Sequence, residues 1–389
     1  MIKKILLFSL TLFLAFNIAF PANEDLTKEY ETLLKSLEEK AQSIKSRDDF
    51  QKFVVERNTS LEALLKKVEA AGSDDAMVML SGKILVDLKR YDQALQKFDE
   101  LIKKNSPLAA DAKEGKVWVL IQEDKTDEAF PLFEEVKNKL KKDMFYYRII
   151  FELAFSAKDL NKRMNFSQEF IQGIGDDPKY ESLKSYQYDN MATIERDRGN
   201  IAKATEILNT GIAKLKDEKA KKPLEAALQQ LKLINSVAPE ISAEDWLNSK
   251  ELKLANLKGK AVIIDFWAPW CAPCRSVIPT LVKMYDQLKN KDLVIIGYTK
   301  LYGTYTDDIQ RQAKKVTPEE ELTLIKGFIE RFKINYPVAI AKGNEAFNAY
   351  GVTGIPTMIF IDKKGKIRDI EVGAGDNQKL ETKINELIK

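Results

Sequence analysis

The chain contains no histidine. That absence removes imidazole metal ligands, imidazole general bases and every Ser–His or Cys–His catalytic pair. Cysteine is almost as scarce, with two residues in 389, Cys271 and Cys274. Two cysteines without histidine cannot complete the four-ligand shell of a conventional structural zinc site, so no metal is expected. Neither sign of charge is in excess: 62 Lys and Arg stand against 59 Asp and Glu, a net of +3. Two of those positives, Lys3 and Lys4, sit at the extreme N-terminus. The body is therefore near neutral and offers no bulk basic surface for nucleic acid. With 44% hydrophobic residues, 31% charged, 17 Gly and 12 Pro, the composition is globular, and the length predicts two or three domains.

One strongly apolar run stands out, at the N-terminus. Lys3 and Lys4 precede Ile5–Phe16, and small residues follow at Ala19 and Ala22. Residues 1–20 read as a secretory signal peptide. The competing reading is an uncleaved anchor, since Ile5–Phe20 is slightly short of a comfortable membrane span. Phe20 and Pro21 interrupt the simplest small-x-small cleavage pattern, and no nearby cysteine offers a lipid attachment point. Either way the body is expected outside the cytoplasm, periplasmic or secreted, with membrane contact only if the segment is retained.

From Asn23 to about Ile234 proline is rare and apolar residues recur at three- and four-residue spacing, which predicts helices throughout. Residues 21–74 read as an N-terminal helical segment, two antiparallel helices with a break near Lys45–Asp49. Residues 75–235 carry a repeat. Tyr91-Asp92-Gln93-Ala94-Leu95 is echoed by Thr126-Asp127-Glu128-Ala129-Phe130, and more weakly around Met164 and Ala204. The intervals Ala94 to Ala129, Ala129 to Met164 and Met164 to Ala204 are 35, 35 and 40 residues. Such a period resembles tetratricopeptide helix pairs. Gly82, Leu85, Ala94 and Phe98 occupy the small, apolar, small and aromatic slots of that pattern. An irregular helical bundle is the alternative. The aromatic stretch Met144–Phe151 has the spacing of core packing rather than of a binding groove.

Ser236–Glu240 breaks the helical pattern, and residues 236–389 alternate short apolar strands with helices. Ala261–Trp267 and Leu293–Tyr298 read as buried strands, and Ala272–Leu288, Pro318–Phe332 and Asn377–Ile388 as helices. Met358–Asp362 and Lys366–Val372 flank Lys363-Lys364-Gly365 as a hairpin. The expected architecture is multi-domain: an all-α repeat region followed by an α/β sandwich with a mixed sheet.

Trp270-Cys271-Ala272-Pro273-Cys274 follows the first strand and opens a helix. Cysteines at this spacing can close a disulfide across one helical turn. The first thiol then lies at the helix N-terminus, where free N–H groups and the dipole favour a thiolate. Cys271 is thus the candidate nucleophile, and Cys274 the thiol that resolves a mixed disulfide. A purely structural disulfide is the rival, disfavoured because so short a loop stabilises little.

Ile264–Arg275 resembles the active-site segment of thioredoxins almost position for position, and Pro279 matches the proline that kinks the active-site helix there. Gly351-Val352-Thr353-Gly354-Ile355-Pro356-Thr357 resembles that family's cis-proline loop. Ala238-Pro239-Glu240-Ile241, Leu257-Lys258-Gly259-Lys260 and the long segment from Tyr298 to Tyr336 are similar to the exported TlpA/ResA branch. The resemblance covers about 40% of the chain. It implies a thiol–disulfide oxidoreductase, commonly a reductase of exported protein disulfides. The redox group would be the Cys271–Cys274 pair itself with no other cofactor, and the partners would be exported protein thiols and an upstream electron donor. A cis Pro356 would present the Ile355 backbone to an extended substrate segment. Trp270, Ala272 and Pro273 are the other expected substrate contacts. Asp265, the one ionisable group on its strand, is a candidate base for the Cys274 proton; the alternative is an Asp satisfied by backbone at a strand end.

Three departures bear on function. Many members of the branch carry Glu three residues after the second cysteine, where this chain has Val277. Ala272-Pro273 lacks the histidine of strongly oxidising relatives, which favours a reducing direction. Thiol peroxidases on the same fold use a Thr where this chain has Ala268 and a Pro where it has Ile264. Lys300–Val316 is a long insertion that reads equally as a substrate-contacting loop or a charged surface loop. A non-enzymatic adaptor, with the helices as scaffold and the C-terminal fold as docking module, is the rival to the enzyme.

Overall fold

The computed structural model describes residues 24–44, 46–310, 314–341 and 343–389. The expected signal segment, residues 1–20, lies outside the described residues. Among the described residues no helix is long and apolar enough to cross a membrane. The chain divides into two compact units, one ending at Ile207 and the other spanning Leu208–Lys389.

The first unit is helical: α1 (Glu24–Gln42), α2 (Arg47–Ala71), α3 (Asp75–Asp87), α4 (Tyr91–Lys103), α5 (Ala109–Gln122), α6 (Thr126–Val136), α7 (Met144–Ser156), α8 (Leu160–Gly173) and α9 (Glu181–Asp197). Helix α10 (Ile201–Lys214) carries the division between the units. The sequence repeat has a physical origin in the turns. After α3, Lys89 takes a left-handed φ of 59° and Arg90 N–H donates back to the Leu85 carbonyl at 2.9 Å. After α5, Asp124 at φ 59° and Lys125 N–H to Leu120 at 2.8 Å repeat that closure. After α9, Gly199 at φ 81° and Asn200 N–H to Glu195 at 2.8 Å repeat it again. Each is the same helix C-terminal motif, satisfying carbonyls the helix leaves open. The turn after α7 lacks it; Asp159 instead caps α8, accepting from Asn161 and Lys162 N–H. The echo around Met164 follows this different turn.

Packing follows the same logic. Phe98 of α4 wedges against Gly82 of α3 and Gly115 of α5; a Cβ on either glycine would lie 2.6 Å from its ring. The aromatic stretch packs inward as its spacing indicated, with Phe145, Tyr146, Tyr147, Ile149 and Ile150 all buried.

The second unit adds helix α11 (Glu218–Leu233) to a six-stranded mixed sheet of order β1-β6-β3-β2-β7-β8. The strands are β1 (Asp245–Leu247), β2 (Ala261–Phe266), β3 (Leu293–Lys300), β6 (Val338–Ala341), β7 (Thr357–Ile361) and β8 (Ile367–Val372). Strand β2 is central, parallel to β3 and antiparallel to β7. All its residues are buried, as a continuous apolar strand covered on both faces requires. One face packs against α12 (Ala272–Leu288), α13 (Pro318–Arg331) and α15 (Asn377–Leu387) through Ile278, Leu281, Phe328 and Ile384. The other packs against α14 (Glu345–Ala349) through Phe347 and Tyr350.

The result is a thioredoxin fold. It contains edge strand β1, its neighbour β6 and helix α14, which the sequence pattern did not indicate, since all are five residues or shorter. Within the insertion, β4 (Thr304–Tyr305) pairs antiparallel with β5 (Lys314–Lys315). The stretch that begins where the helical pattern breaks is bonded to the sheet. Asn235 N–H donates to Ile367 at 2.8 Å, Ile367 N–H to Ser236 at 3.0 Å and Ala238 N–H to Gly365 at 2.9 Å. Residues 235–238 thereby extend the sheet beside β8.

Replacing Phe98 by alanine removes the ring between two glycines and leaves a cavity. We expect Phe98→Ala to destabilise the helical unit by about 3–5 kcal/mol. Chemical denaturation followed by helical circular dichroism measures this; a change below 1 kcal/mol would show the wedge to be dispensable.

Candidate active site

Strand β2 delivers its C-terminal residues to the start of α12. Side chains alternate along it: Val262, Ile264 and Phe266 enter one core, and Ala261, Ile263 and Trp267 the other. Asp265, two residues from both Ile263 and Trp267, therefore faces the layer that holds Cys271 and Cys274.

The chain leaves the strand through Ala268-Pro269-Trp270. Arg275 Nη1 reaches back to donate to the Pro269 carbonyl at 2.7 Å, pinning this bend from inside the helix. Cys271 is the N-cap of α12, and its Sγ accepts from Cys274 N–H at 3.1 Å. Pro273 lies in the first turn, where a missing N–H has no consequence. The two cysteines are joined as a disulfide, with Cα atoms 5.2 Å apart. Their exposures, 3% for Cys271 and 1% for Cys274, barely distinguish them. The asymmetry comes from position, because only Cys271 occupies the cap where the open N–H groups converge.

Asp265 is 2% exposed, and its Oδ1 has no hydrogen-bond partner. Burial alone pushes its carboxyl up to about 7. It is not the backbone-satisfied acid that was the alternative reading. Across the sheet it sits opposite Gly297 on β3 and Met358 on β7. Gly297 makes room: a Cβ there would lie 3.0 Å from Trp267 Nε1 and 3.1 Å from Tyr336. Tyr336 is wholly buried, its hydroxyl pushed up by desolvation and then by the Asp265 charge. Gly297 and Tyr336 escaped the sequence reading, although a glycine inside an apolar strand signals such close approach.

The expected contact positions neighbour the cysteines in sequence or pack against the core that contains them. Trp270 is 43% exposed and meets Tyr302 of the insertion edge to face, with ring centroids 5.5 Å apart. Trp267 is buried and stacks on Phe328 at 5.3 Å. Ala272 and Pro273 are exposed on the first turn of α12. The Ile355–Pro356 peptide is cis, Pro356 is buried, and Ile355 is half-buried and packs against the core that contains both cysteines. Val277 is buried in that same core, so an apolar side chain fills the position where the branch carries Glu.

The insertion is fastened rather than loose. Buried Glu321 accepts from Tyr302 N–H at 2.9 Å and Gly303 N–H at 2.8 Å. Tyr305 donates its hydroxyl to Asp307 at 2.8 Å, and Arg331 pairs with Asp307 at 2.6 Å. Tyr302 is thereby held against Trp270, which brings part of the insertion to the redox edge.

A buried carboxyl, a capping cysteine disulfide and a cis-proline loop on this sheet define a dithiol–disulfide exchange protein of thioredoxin fold. Comparison with known proteins narrows the class. Residues 234–370 match the AhpC/TSA family. Thiol-disulfide oxidoreductase ResA of Bacillus anthracis is 31% identical over 148 residues, covering 38% of this chain and 75% of that protein. Its namesake in Geobacillus thermodenitrificans is 29% identical over 140 residues, 36% of this chain and 70% of that protein. A solved thiol:disulfide interchange protein from Chlorobium tepidum is 28% identical, covering 40% of this chain and 97% of that one, with a TM-score of 0.32. Through its C-terminal domain the chain belongs to the family of ResA-type thiol-disulfide oxidoreductases.

The raised Asp265 carboxyl carries a stability signature. Between its ordinary value of 3.8 and about 7 the folded chain holds a proton that the unfolded chain has lost. Stability from this group therefore falls as pH rises through that window and levels above it, by on the order of 4 kcal/mol in all. We expect Asp265→Asn to lack this slope. Denaturant titrations of both proteins from pH 4 to 8 check it; parallel curves would place the carboxyl at an ordinary pKa.

Proposed function

We propose that the protein is an exported reductase of protein disulfides. The observation that carries this is the placement of Cys271 as N-cap of α12 with Asp265 buried on the same face of the sheet. In the reduced protein the Cys271 thiolate attacks one sulfur of a substrate disulfide. A Cys271–substrate disulfide forms and one substrate thiolate leaves. Asp265 takes the Cys274 proton, and the Cys274 thiolate attacks Cys271 Sγ, closing Cys271–Cys274 and releasing the second substrate thiolate. Two electrons pass to the substrate, and an upstream dithiol donor must return them. Trp270, Ala272, Pro273 and the backbone of Ile355 form the surface against which the substrate segment lies.

The reducing direction is supported by Ala272-Pro273, which supplies no imidazolium to stabilise the thiolate. Export is supported by Lys3, Lys4 and the apolar run that follows. The helix hairpins of the first unit, read as tetratricopeptide-type repeats, would hold a partner and raise its effective concentration. A docking module without chemistry would have no use for a buried, unpartnered Asp265. A thiol peroxidase would need a hydroxyl where Ala268 is fully buried.

Cys274→Ser in the full chain retains the attacking thiol and loses the resolving one. Incubated with insulin as a disulfide probe, it should accumulate a mixed disulfide through Cys271, visible by mass spectrometry. No adduct at Cys271 would sink the assignment. Asp265→Asn should slow resolution on the order of 100-fold. In the wild type the rate of that step should climb through pH 7 and flatten above it, and a profile identical in the two proteins would remove Asp265 from the mechanism.

A further inference from the structure

The loop that carries Ile355 and Pro356 is held at one end by a helix outside the thioredoxin fold proper. Helix α14 ends in a left-handed turn: Gly351 has φ 62°, Val352 N–H donates to Phe347 at 2.7 Å and Gly351 N–H to Asn348 at 3.1 Å. Such a terminus leaves main-chain carbonyls with spare acceptor capacity. Two adjacent side chains of α11 use it. Gln229 Nε2 donates to the Asn348 carbonyl at 2.7 Å and the Ala349 carbonyl at 3.1 Å, and Gln230 Nε2 donates to the Gly351 carbonyl at 2.9 Å. The approach is close, since a Cβ on Gly351 would lie 3.1 Å from the Ala226 carbonyl.

Helix α11 is itself fixed to the sheet. Leu233 and Ile234 pack against the core that holds Phe347 and Val352, and Arg368 Nη1 donates to Asn235 at 2.6 Å. At the other end of the loop, Gly373 N–H donates to the Pro356 carbonyl at 2.8 Å and Thr357 Oγ1 to the Gly354 carbonyl at 2.8 Å. The segment from Gly351 to Pro356 is thus tied at both ends, and α11 supplies one tie.

We propose that Gln229 and Gln230 are positioning residues that hold the Ile355–Pro356 loop in its substrate-binding form, so that helix α11 sets how tightly a protein disulfide is bound. This rests on the loop's role in the function proposed above. Cys271, Cys274 and Asp265 belong to β2 and the start of α12, whereas the hydrogen bonds of these glutamines go to the end of α14. Releasing the tie adds conformational freedom that binding an extended segment must remove, while the sulfur chemistry is unaltered.

The test compares the full chain with Gln229→Ala/Gln230→Ala and Gln229→Glu/Gln230→Glu, reduced by dithiothreitol. Insulin serves as the protein probe and 5,5′-dithiobis(2-nitrobenzoic acid) as a probe too small to need the loop. Both double variants should raise KM for insulin about tenfold. The rate on the small disulfide and the midpoint potential of Cys271–Cys274 should stay at wild-type values. The glutamate pair keeps size but loses the N–H donors, so it should match the alanine pair. The single variant Gln230→Ala, expected at about threefold, carries the test if a double variant does not fold. An unchanged KM for insulin, or an equal loss on both probes with a shifted potential, would overturn the proposal. A wild-type protein inactive on both probes would instead overturn the redox function, and the clamp with it.

Discussion

An ionisable carboxyl sealed in the middle of an apolar sheet sets the terms for the rest of the redox domain. Asp265 is buried on the central strand, one oxygen has no partner, and burial raises its titration to about 7. Leaving such a group uncompensated costs stability that the surrounding core must offset. It does so with Trp267 stacked on Phe328, Tyr336 behind them, and Gly297 yielding the space both rings need. Substituting any of these alters the dielectric around Asp265 and hence the pH at which it can accept a proton. Packing and chemistry are the same problem at this position.

The dithiol poses the complementary problem. A thiolate at Cys271 is a charge that must be tolerated near an apolar layer, and here the backbone supplies the compensation. The cap position, the proline in the first turn and the Arg275 bond to Pro269 fix the cysteine where open N–H groups point. With no histidine in the chain, imidazole is not available for this task, and the proposed acid–base roles fall to the helix terminus and Asp265.

Much of this is legible in the sequence, for identifiable reasons. The active-site segment declares itself because strand, bend, cysteine spacing and helix fall on consecutive residues. Helix α12 begins and ends where its pattern indicates, and α13 is marked by Thr317-Pro318-Glu319-Glu320, which forms a capping box. Phe98 is legible because it fills the aromatic slot of a repeat whose small slots are Gly82 and Ala94, whereas its contact with Gly115 carries no such mark. What stays hidden is carried by main-chain bonds or by short elements. Strand β6 pairs through four residues, and residues 235–238 join the sheet edge through backbone groups that leave no side-chain period. Gln229 and Gln230 look like ordinary polar residues on an amphipathic helix. Their partners are carbonyls more than a hundred positions away, and no local pattern encodes them.

The central claim is that Asp265 titrates near neutrality because it is buried, facing the layer that holds the dithiol. Isotope-edited infrared or carbon NMR titration of the Asp265 carboxyl, in the disulfide and dithiol forms, reads this without relying on turnover. The account predicts a carboxyl that is protonated at pH 6 and ionised at pH 8, with its midpoint near 7 in the disulfide form. A carboxyl already ionised at pH 5 would contradict it, because a base charged throughout the working range would have no proton equilibrium to lend to Cys274.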